Sequence, residues 1–542
     1  MAFLTIKHGA CDMCHHVDMA AWLKRIESLR SELARSGEPP VEMIQTHISV
    51  VLLGQRIALK LKKPVDFGFL DYTTLEKRRV ACEAEVRLNR RLCPDVYLGV
   101  QPIVAREGVL SFHDQWEIVD YAVLMRRLPA ARMLDRLVEN NSVTEAIINR
   151  VAARLADFHA EARRGPSVDE FGSVATIKGN WDENFAQAAP YVGRTVSKEN
   201  FEAIHHWVYG WLDDHEKLLQ SRVLRGRICE GHGDARCESV CVTDETPEGI
   251  CIFDCIEFNE RFRCGDVAGE VAFLATDLDA RGRPDLGHLF TEEYSARVGD
   301  EQLFSLLPFY RCYRAFVRGK VLSFRLDEPE FSAEEHQDAA TRAQSFFDLA
   351  ARYATPLSTP TVIAVSGLSG TGKTALARAL AGELGLRVVS SDAVRAAIFG
   401  ADKRPSEYGQ HCYSEEATRL VYKTLLERGR EILKTDGGVV LDATFLHATD
   451  RAAAQKMARE IGAAWRLIVC KAPPEAIRDR LAHRAAQGDG VSDADWNIHL
   501  QQQEKFEAPY GGCDGCRLML DTRDTLATVS KTAAHWLRAS AT

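Results

Sequence analysis

Two fold classes are predicted within this one chain: a two-lobed α+β part in front and a doubly wound parallel α/β sheet behind. Three observations predict them. Strand-like segments cluster early, and helical periodicity dominates from about residue 130 onward. A stretch with two prolines, Ala354-Thr-Pro-Leu-Ser-Thr-Pro360, cannot continue a helix and reads as a short, stiff connector. From Thr361 onward, apolar strand-like runs alternate with amphipathic helical runs, the pattern of a parallel sheet. The expected division is 1–353, a linker at 354–360, and 361–542.

In the front part the expected strands are 47–53, 56–61 across a Gly54-Gln55 turn, and 117–125. A helix is expected over about 75–93, a strand–turn–strand stretch at 240–258, and a charge-rich helix from Ser332 to Ala351. Behind the linker the expected strands are 361–366, 386–391, 438–443, 465–471 and 516–521, with helices including 373–384 and 414–434. That makes a sheet of about five parallel strands. There is no internal repeat and no low-complexity tract.

The chain has 542 residues, 46% hydrophobic and 27% charged, a globular composition. Its 68 Lys plus Arg against 77 Asp plus Glu leave a net charge of −9, which gives no global attraction to nucleic acid or an anionic membrane. No apolar run approaches the ~20 residues that span a bilayer. Lys7, His8, Asp12 and Asp18 break up any signal-peptide core. The expectation is a soluble, cytoplasmic protein of unknown oligomeric state, with nucleic acid a disfavoured partner.

Fifteen cysteines are present. Cys82, Cys93, Cys237, Cys241, Cys251, Cys255, Cys312 and Cys470 fall in core-like segments and are expected as reduced thiols. Two CxxC pairs, Cys11/Cys14 (followed by His15 and His16) and Cys513/Cys516, leave open a zinc site or incidental thiols.

The strongest chemical signal is Gly367-Leu-Ser-Gly-Thr-Gly-Lys-Thr374, which matches GxxxxGK[ST] between an expected strand and an expected helix. The backbone N–H groups of Gly367, Leu368, Ser369, Gly370, Thr371 and Gly372 are expected to point at phosphate oxygens, backed by the positive end of the helix. Lys373 then neutralises the β/γ-phosphates, and the Thr374 hydroxyl ligates Mg2+. ATP is the expected nucleotide, with GTP left open.

Further residues point to a kinase. Asp392 and Arg395 follow the second strand of the alternation, where ligands of open α/β sheets bind. Asp392 reads either as acceptor of a hydroxyl proton, with Arg395 holding substrate, or as a helix N-cap. Asp442 ends another apolar strand, in position to hold magnesium or its waters. In Arg478-Asp-Arg-Leu-Ala-His-Arg484, Arg480 and Arg484 share a helix face and read either as a closing lid or as a solvated basic face. Together these residues resemble the P-loop kinase group of polynucleotide 5′-kinase, gluconate kinase, zeta-type toxins and chloramphenicol phosphotransferase, over roughly 360–540. That resemblance implies Asp392 as the base and Arg395 as substrate ligand.

In the front part, Ile57-Ala-Leu-Lys-Leu-Lys-Lys-Pro64, a helix carrying Glu83 and Glu85, Glu230-Gly-His-Gly-Asp-Ala-Arg-Cys-Glu-Ser239 and Ile252-Phe-Asp-Cys-Ile-Glu-Phe-Asn259 follow in that order. In this order they resemble the aminoglycoside phosphotransferase-like branch of the protein-kinase fold, over roughly 40–350. The resemblance implies Asp234 as the acceptor of the hydroxyl proton, Asp254 as magnesium ligand, and Lys60 on the nucleotide phosphates paired with Glu85. Ser239 stands where that pattern has a metal-binding asparagine and is expected as a shorter, weaker metal ligand; no glycine-rich loop precedes Lys60.

The expected function is transfer of the γ-phosphate of ATP to a hydroxyl of a small molecule (a sugar, aminoglycoside or nucleoside-like acceptor). The alternatives are an ATP-dependent switch with a pseudokinase-like front half, and a kinase of nucleic-acid 5′ ends.

Overall fold

The computed structural model describes residues 19–68, 70–107, 109–112, 115–243, 249–328, 331–400, 411–434, 436–487, 496–509 and 515–540. Contacts divide the chain into two compact units, Met1–Ala130 with Cys251–Glu260, and Ala131–Ile250 with Arg261–Thr542.

The first unit is built on a six-stranded antiparallel sheet. Its elements are α1 (Met19–Arg35), β1 (Glu42–Gln45), β2 (Ser49–Leu53), β3 (Ile57–Lys62), α2 (Leu75–Asn89), β4 (Tyr97–Arg106), β5 (Val109–Ser111) and β6 (Glu117–Arg126), in the sheet order β1-β2-β3-β6-β4-β5. The period of two in a strand sorts its side chains between the faces. Leu59 and Leu61 of β3 pack with Trp22, Ile26, Leu29 and Leu33 of α1, and the alternate residues Lys60 and Lys62 turn toward Glu85 of α2. The Thr74 side chain caps α2 by accepting from the Lys77 N–H.

Strand β4 was not foreseen, because Gly99 and Pro102 read as breakers. Its pairing with β6 has irregularities at Tyr97/Gly99 and at Ile103/Val104, which absorb them. Cys93 and Cys251 are joined in a disulfide, which corrects the expectation that both are reduced. They stand 158 residues apart, and only the fold brings them together. No second disulfide joins cysteines among the described residues.

The second unit begins with helices, including α3 (Glu145–Glu161), and a two-stranded antiparallel pair, β7 (Ile228–Glu230) with β8 (Cys264–Asp266). Helices α4 (Val267–Ala280), α5 (Pro284–Val298), α6 (Leu303–Phe324) and α7 (Ala333–Tyr353) follow. Then comes the alternation: β9 (Thr361–Ser366), α8 (Lys373–Leu384), β10 (Arg387–Ser390), α9 (Ser391–Phe399), α10 (Glu415–Ile432), β11 (Gly438–Asp442), α11 (Ala448–Glu460), β12 (Ala464–Lys471), α12 (Pro474–Gln487), α13 (Trp496–Lys505), β13 (Arg517–Asp521) and α14 (Leu526–Ala539).

The five strands are all parallel, in the order β10-β11-β9-β12-β13. Every residue of β9 is buried because both faces are covered. Val362 and Ala364 belong to one hydrophobic cluster, Ile363 and Val365 to the other. Succession turns from one side of β9 to the other, so the carboxyl end of β9 is a topological switch point. The segment carrying the glycine motif starts there.

Helix α8 also packs on the helical part of its unit. A Cβ on Gly385 would come within 2.3 Å of Pro308, and Arg311 of α6, buried, donates to the Gly382 carbonyl. Among the described residues no helix is long and apolar enough to cross a membrane.

Candidate functional site

The glycine-motif loop runs from Ser366 to the N-terminus of α8, with Gly372 in the left-handed conformation at the helix cap. Gly370 has φ +81°, and a Cβ there would lie 2.7 Å from Ile477 Cγ2, so only glycine fits. Three residues not foreseen in the sequence hold the loop from outside. Gln502 of α13 accepts the Ser369 N–H at 2.9 Å, and His499 lies 2.8 Å from the Ser369 carbonyl. Thr522 donates to the Thr371 carbonyl at 2.8 Å. Their spacing from the loop has no period that a sequence reader could use.

At the carboxyl edge of the sheet, Asp442 pairs in register with Val365 on one side and Ser390 on the other. It is buried, and its Oδ1 has no hydrogen-bond partner among the described residues. Burial raises the Asp442 carboxyl above the usual range; the Lys373 charge pulls it down, the Asp392 charge pushes it up, and the Thr374 hydroxyl pulls it down. A buried carboxylate oxygen without a donor, beside a threonine hydroxyl and a lysine, fits a divalent cation that takes its remaining ligands from phosphate and water. Among the described residues no group of three His, Cys, Asp or Glu is placed to hold a metal by itself.

Ser390, not Asp392, caps α9: its hydroxyl accepts the Asp392 N–H at 3.3 Å. The Asp392 carboxylate is therefore not spent on capping, and it is half-buried. Arg395 donates to the Cys412 carbonyl and stacks 4.5 Å above the Tyr413 ring, with its Nε buried and without a partner among the described residues.

Arg480 does not stand free as a lid. It donates to Thr522 Oγ1 at 3.0 Å and to the Thr522 carbonyl, and so braces the outside of the loop. Arg478 stacks 4.3 Å above Trp496. The Arg484 side chain, Cys11, Cys14, His15, His16 and Cys513 lie outside the described residues; Cys516 is buried.

In the first unit the structure brings Lys60, Glu85 and Asp254 together. Lys60 Nζ lies 2.9 Å from Glu85 Oε1 and 2.5 Å from Asp254 Oδ1. Burial disfavours the Lys60 ammonium, but the charges of Asp254, Glu85 and Glu257 outweigh it and raise its pKa well above the usual range. Lys62 is fully buried and pairs with the other Glu85 oxygen and with Glu257, to which Tyr72 donates at 2.6 Å. Lys62, Tyr72 and Glu257 were not foreseen as partners. The backbone of Asp254 has φ +66°, and its N–H donates to the Tyr97 hydroxyl at 3.1 Å.

In the second unit the segment His232-Gly-Asp234 leaves β7 under the hold of Glu270. That carboxylate accepts from the N–H of His232 and of Gly233, both at 2.8 Å, and lies 2.8 Å from His159 Nε2. Burial works against the charged form, but the hydrogen bond and charge of His159 and the contacts with His232 bring it down to about 2. A Cβ on Gly231 would lie 2.1 Å from Glu270 Oε2, so a side chain there would displace the carboxylate that holds this loop.

Asp234 is gripped at both oxygens by Arg236, at 2.9 Å each. Ser239 is turned into the loop: its hydroxyl accepts the Arg236 N–H at 2.8 Å and lies 2.9 Å from the Arg236 carbonyl and 3.0 Å from that of Asp234. The hydroxyl expected as a metal ligand closes the turn instead, because it is short and three residues from its partner.

Two uncharacterized proteins, Rv2004c of Mycobacterium tuberculosis and Mb2027c of Mycobacterium bovis, are each 32% identical to this chain over 462 residues, covering 84% of it and 88% of their own length. The chain belongs to their family. The AAA domain family model matches residues 362–509, from the second residue of β9 to beyond α13. Solved structures to which the chain is similar include aminoglycoside 2′-phosphotransferase-IIIa in its GDP complex (12% identity, 61% of this chain and 99% of that one, TM-score 0.37). A gluconokinase from Sinorhizobium meliloti is another (18% identity, 34% of this chain and 95% of that one, TM-score 0.27).

Proposed function

We propose that this chain is an ATP-dependent phosphotransferase acting on a hydroxyl of a small molecule, with the loop Gly367–Thr374 as its surest site. The observation that carries the reading is the Asp442 carboxylate, buried with an orphaned oxygen beside Lys373, Thr374 and Asp392. The N–H groups of Gly367, Ser369 and Thr371, expected on phosphate, donate instead to the Thr444 carbonyl, Gln502 and the Leu368 carbonyl. In this reading the amides of Leu368, Gly370 and Gly372 and the Lys373 ammonium bind the β- and γ-phosphates, and Thr374 and Asp442 would hold magnesium. The metal's contribution is to neutralise charge on the phosphates. Asp392 takes the proton of the acceptor hydroxyl as its oxygen bonds to the γ-phosphorus, and the bond to the β-phosphate oxygen breaks to release ADP. For the N-terminal half we propose the same role of proton acceptor for Asp234, and, within the first unit, binding of nucleotide phosphates by Lys60 paired with Glu85 and of magnesium by Asp254.

A second reading, in which the N-terminal half senses nucleotide without transferring phosphate, is favoured by the two-point grip of Arg236 on Asp234 and by the inward turn of Ser239.

The test uses the full-length chain with labelled ATP or GTP and a panel of sugars, aminoglycosides and nucleosides. An acceptor phosphorylated at a rate cut at least about 100-fold by Lys373→Ala and by Asp392→Asn supports the reading. Wild-type turnover in both variants overturns it.

A further inference from the structure

Four arginines surround the Asp234 loop: Arg236, Arg281, Arg314 and Arg318. Two are spent on carboxylates. Arg236 holds Asp234 and reaches Glu238 at 2.7 Å, and Arg281 lies 3.2 Å from Asp277 and 2.9 Å from Glu238. Asp234, Glu238 and Asp277 are thereby all engaged.

The other two stand one turn apart on α6 and share a face. Arg314 donates to the carbonyls of Gly269 at 2.9 Å and Gly233 at 3.4 Å, stacks 4.5 Å above Phe273, and meets no carboxylate among the described residues. Arg318 makes no hydrogen bond or ion pair with the described residues; its Nε is buried and unpartnered, and its guanidinium lies 5.5 Å above the Phe346 ring. Burial, then the Arg236 charge, push it down to about 10, against the pull of Asp234, Asp277 and Glu238.

A guanidinium withdrawn from water without an anion is costly, and its planar fork matches a carboxylate or phosphate. Against the four guanidinium groups stand the three carboxylates of Asp234, Glu238 and Asp277, which leaves this cluster with one positive charge in excess. A cationic acceptor would meet that excess charge and the Arg318 guanidinium, which has no carboxylate within ion-pair distance among the described residues.

We propose that the compound bound beside Asp234 is an anionic hydroxy compound whose carboxylate or phosphate is held by Arg318, with Arg314 adding its charge. This rests on reading Asp234 as the proton acceptor of the N-terminal half.

The test uses the full-length chain with Lys373→Ala, which silences the other phosphate site. Binding of glucose, glucosamine, gluconate and glucose 6-phosphate is measured by calorimetry with a non-hydrolysable ATP analogue and magnesium, followed by transfer from ATP. At least one of the two anions is expected to bind 10-fold or more tighter than glucose, the stronger one naming the carboxylate or the phosphate as the group. Arg318→Gln is expected to erase that preference and Arg318→Lys to keep part of it. Glucose or glucosamine binding as tightly as the anions, no binding of either anion, or a preference that survives both variants overturns the proposal. Transfer to neutral acceptors that Asp234→Asn abolishes and Arg318→Gln spares would sink the anion site alone. Arg318-dependent anion binding without any transfer would sink the role of Asp234 alone.

Discussion

Arg378, one turn beyond Thr374 on α8, is ion-paired with Glu145, the first residue of α3. The same guanidinium feels the charges of Glu292 and Asp442. The helix that begins at Lys373 is thus anchored to the helical part of its unit, 233 residues away in sequence. Glu145→Ala is expected to cost about 1 kcal/mol in urea unfolding, because the glutamate is partly exposed. It is also expected to weaken ATP binding several-fold in calorimetry, since Arg378 then turns on Asp442. An unchanged affinity would confine the pair to a structural role.

Asp442 carries a raised pKa in the fold. Between the ordinary carboxylate range and that raised value the native state holds the extra proton, so stability falls as pH rises through this window. Asp442→Asn removes the ionised form. It should stabilise the nucleotide-free protein at neutral pH by roughly 0.5–2 kcal/mol, with the gain fading on acidification, while phosphate transfer is lost. Thermal melts across pH check this; a destabilised Asn variant at neutral pH would refute it.

Glu270 is shifted the other way, to about 2 from 4.5. The stability it contributes is present above pH 4.5 and is lost as pH falls toward 2, roughly 3 kcal/mol in full. Glu270→Gln should remove it and flatten the acid limb of the denaturation curve. An acid limb of unaltered steepness would show that His159 and the two backbone donors are satisfied some other way.

Thr522 and Gln502 hold the glycine loop without touching a ligand. Thr522→Val leaves the Thr371 carbonyl without its donor, and Gln502→Ala leaves the Ser369 N–H buried without an acceptor. Each is expected to cost about 1–3 kcal/mol. ATP affinity should drop about tenfold in each while that of a Lys60 variant does not add to the loss. Wild-type affinity in both variants would mean the loop keeps its shape unaided.

The sequence by itself determined those features whose cause is local. Unbroken apolarity marked β9 as a buried strand and β11 as another strand, and the glycines and lysine marked the loop, while the pairing of Lys60 with Glu85 came from the order of motifs that resembles the kinase fold. Strand β4 stayed hidden because Gly99 and Pro102 break the local pattern and only cross-strand bulges accommodate them.

What the tertiary structure alone decided is pairing over distance. The Cys93–Cys251 bond, Thr522 and Gln502 on the loop, and Arg378 on Glu145 join residues more than a hundred positions apart. Such contacts follow from the packing of whole elements, and no spacing rule along the chain encodes them. Even where partners are near, as with Arg236 on Asp234 and Ser390 capping in place of Asp392, the backbone direction set by packing chose among several local hydrogen bonds of similar strength.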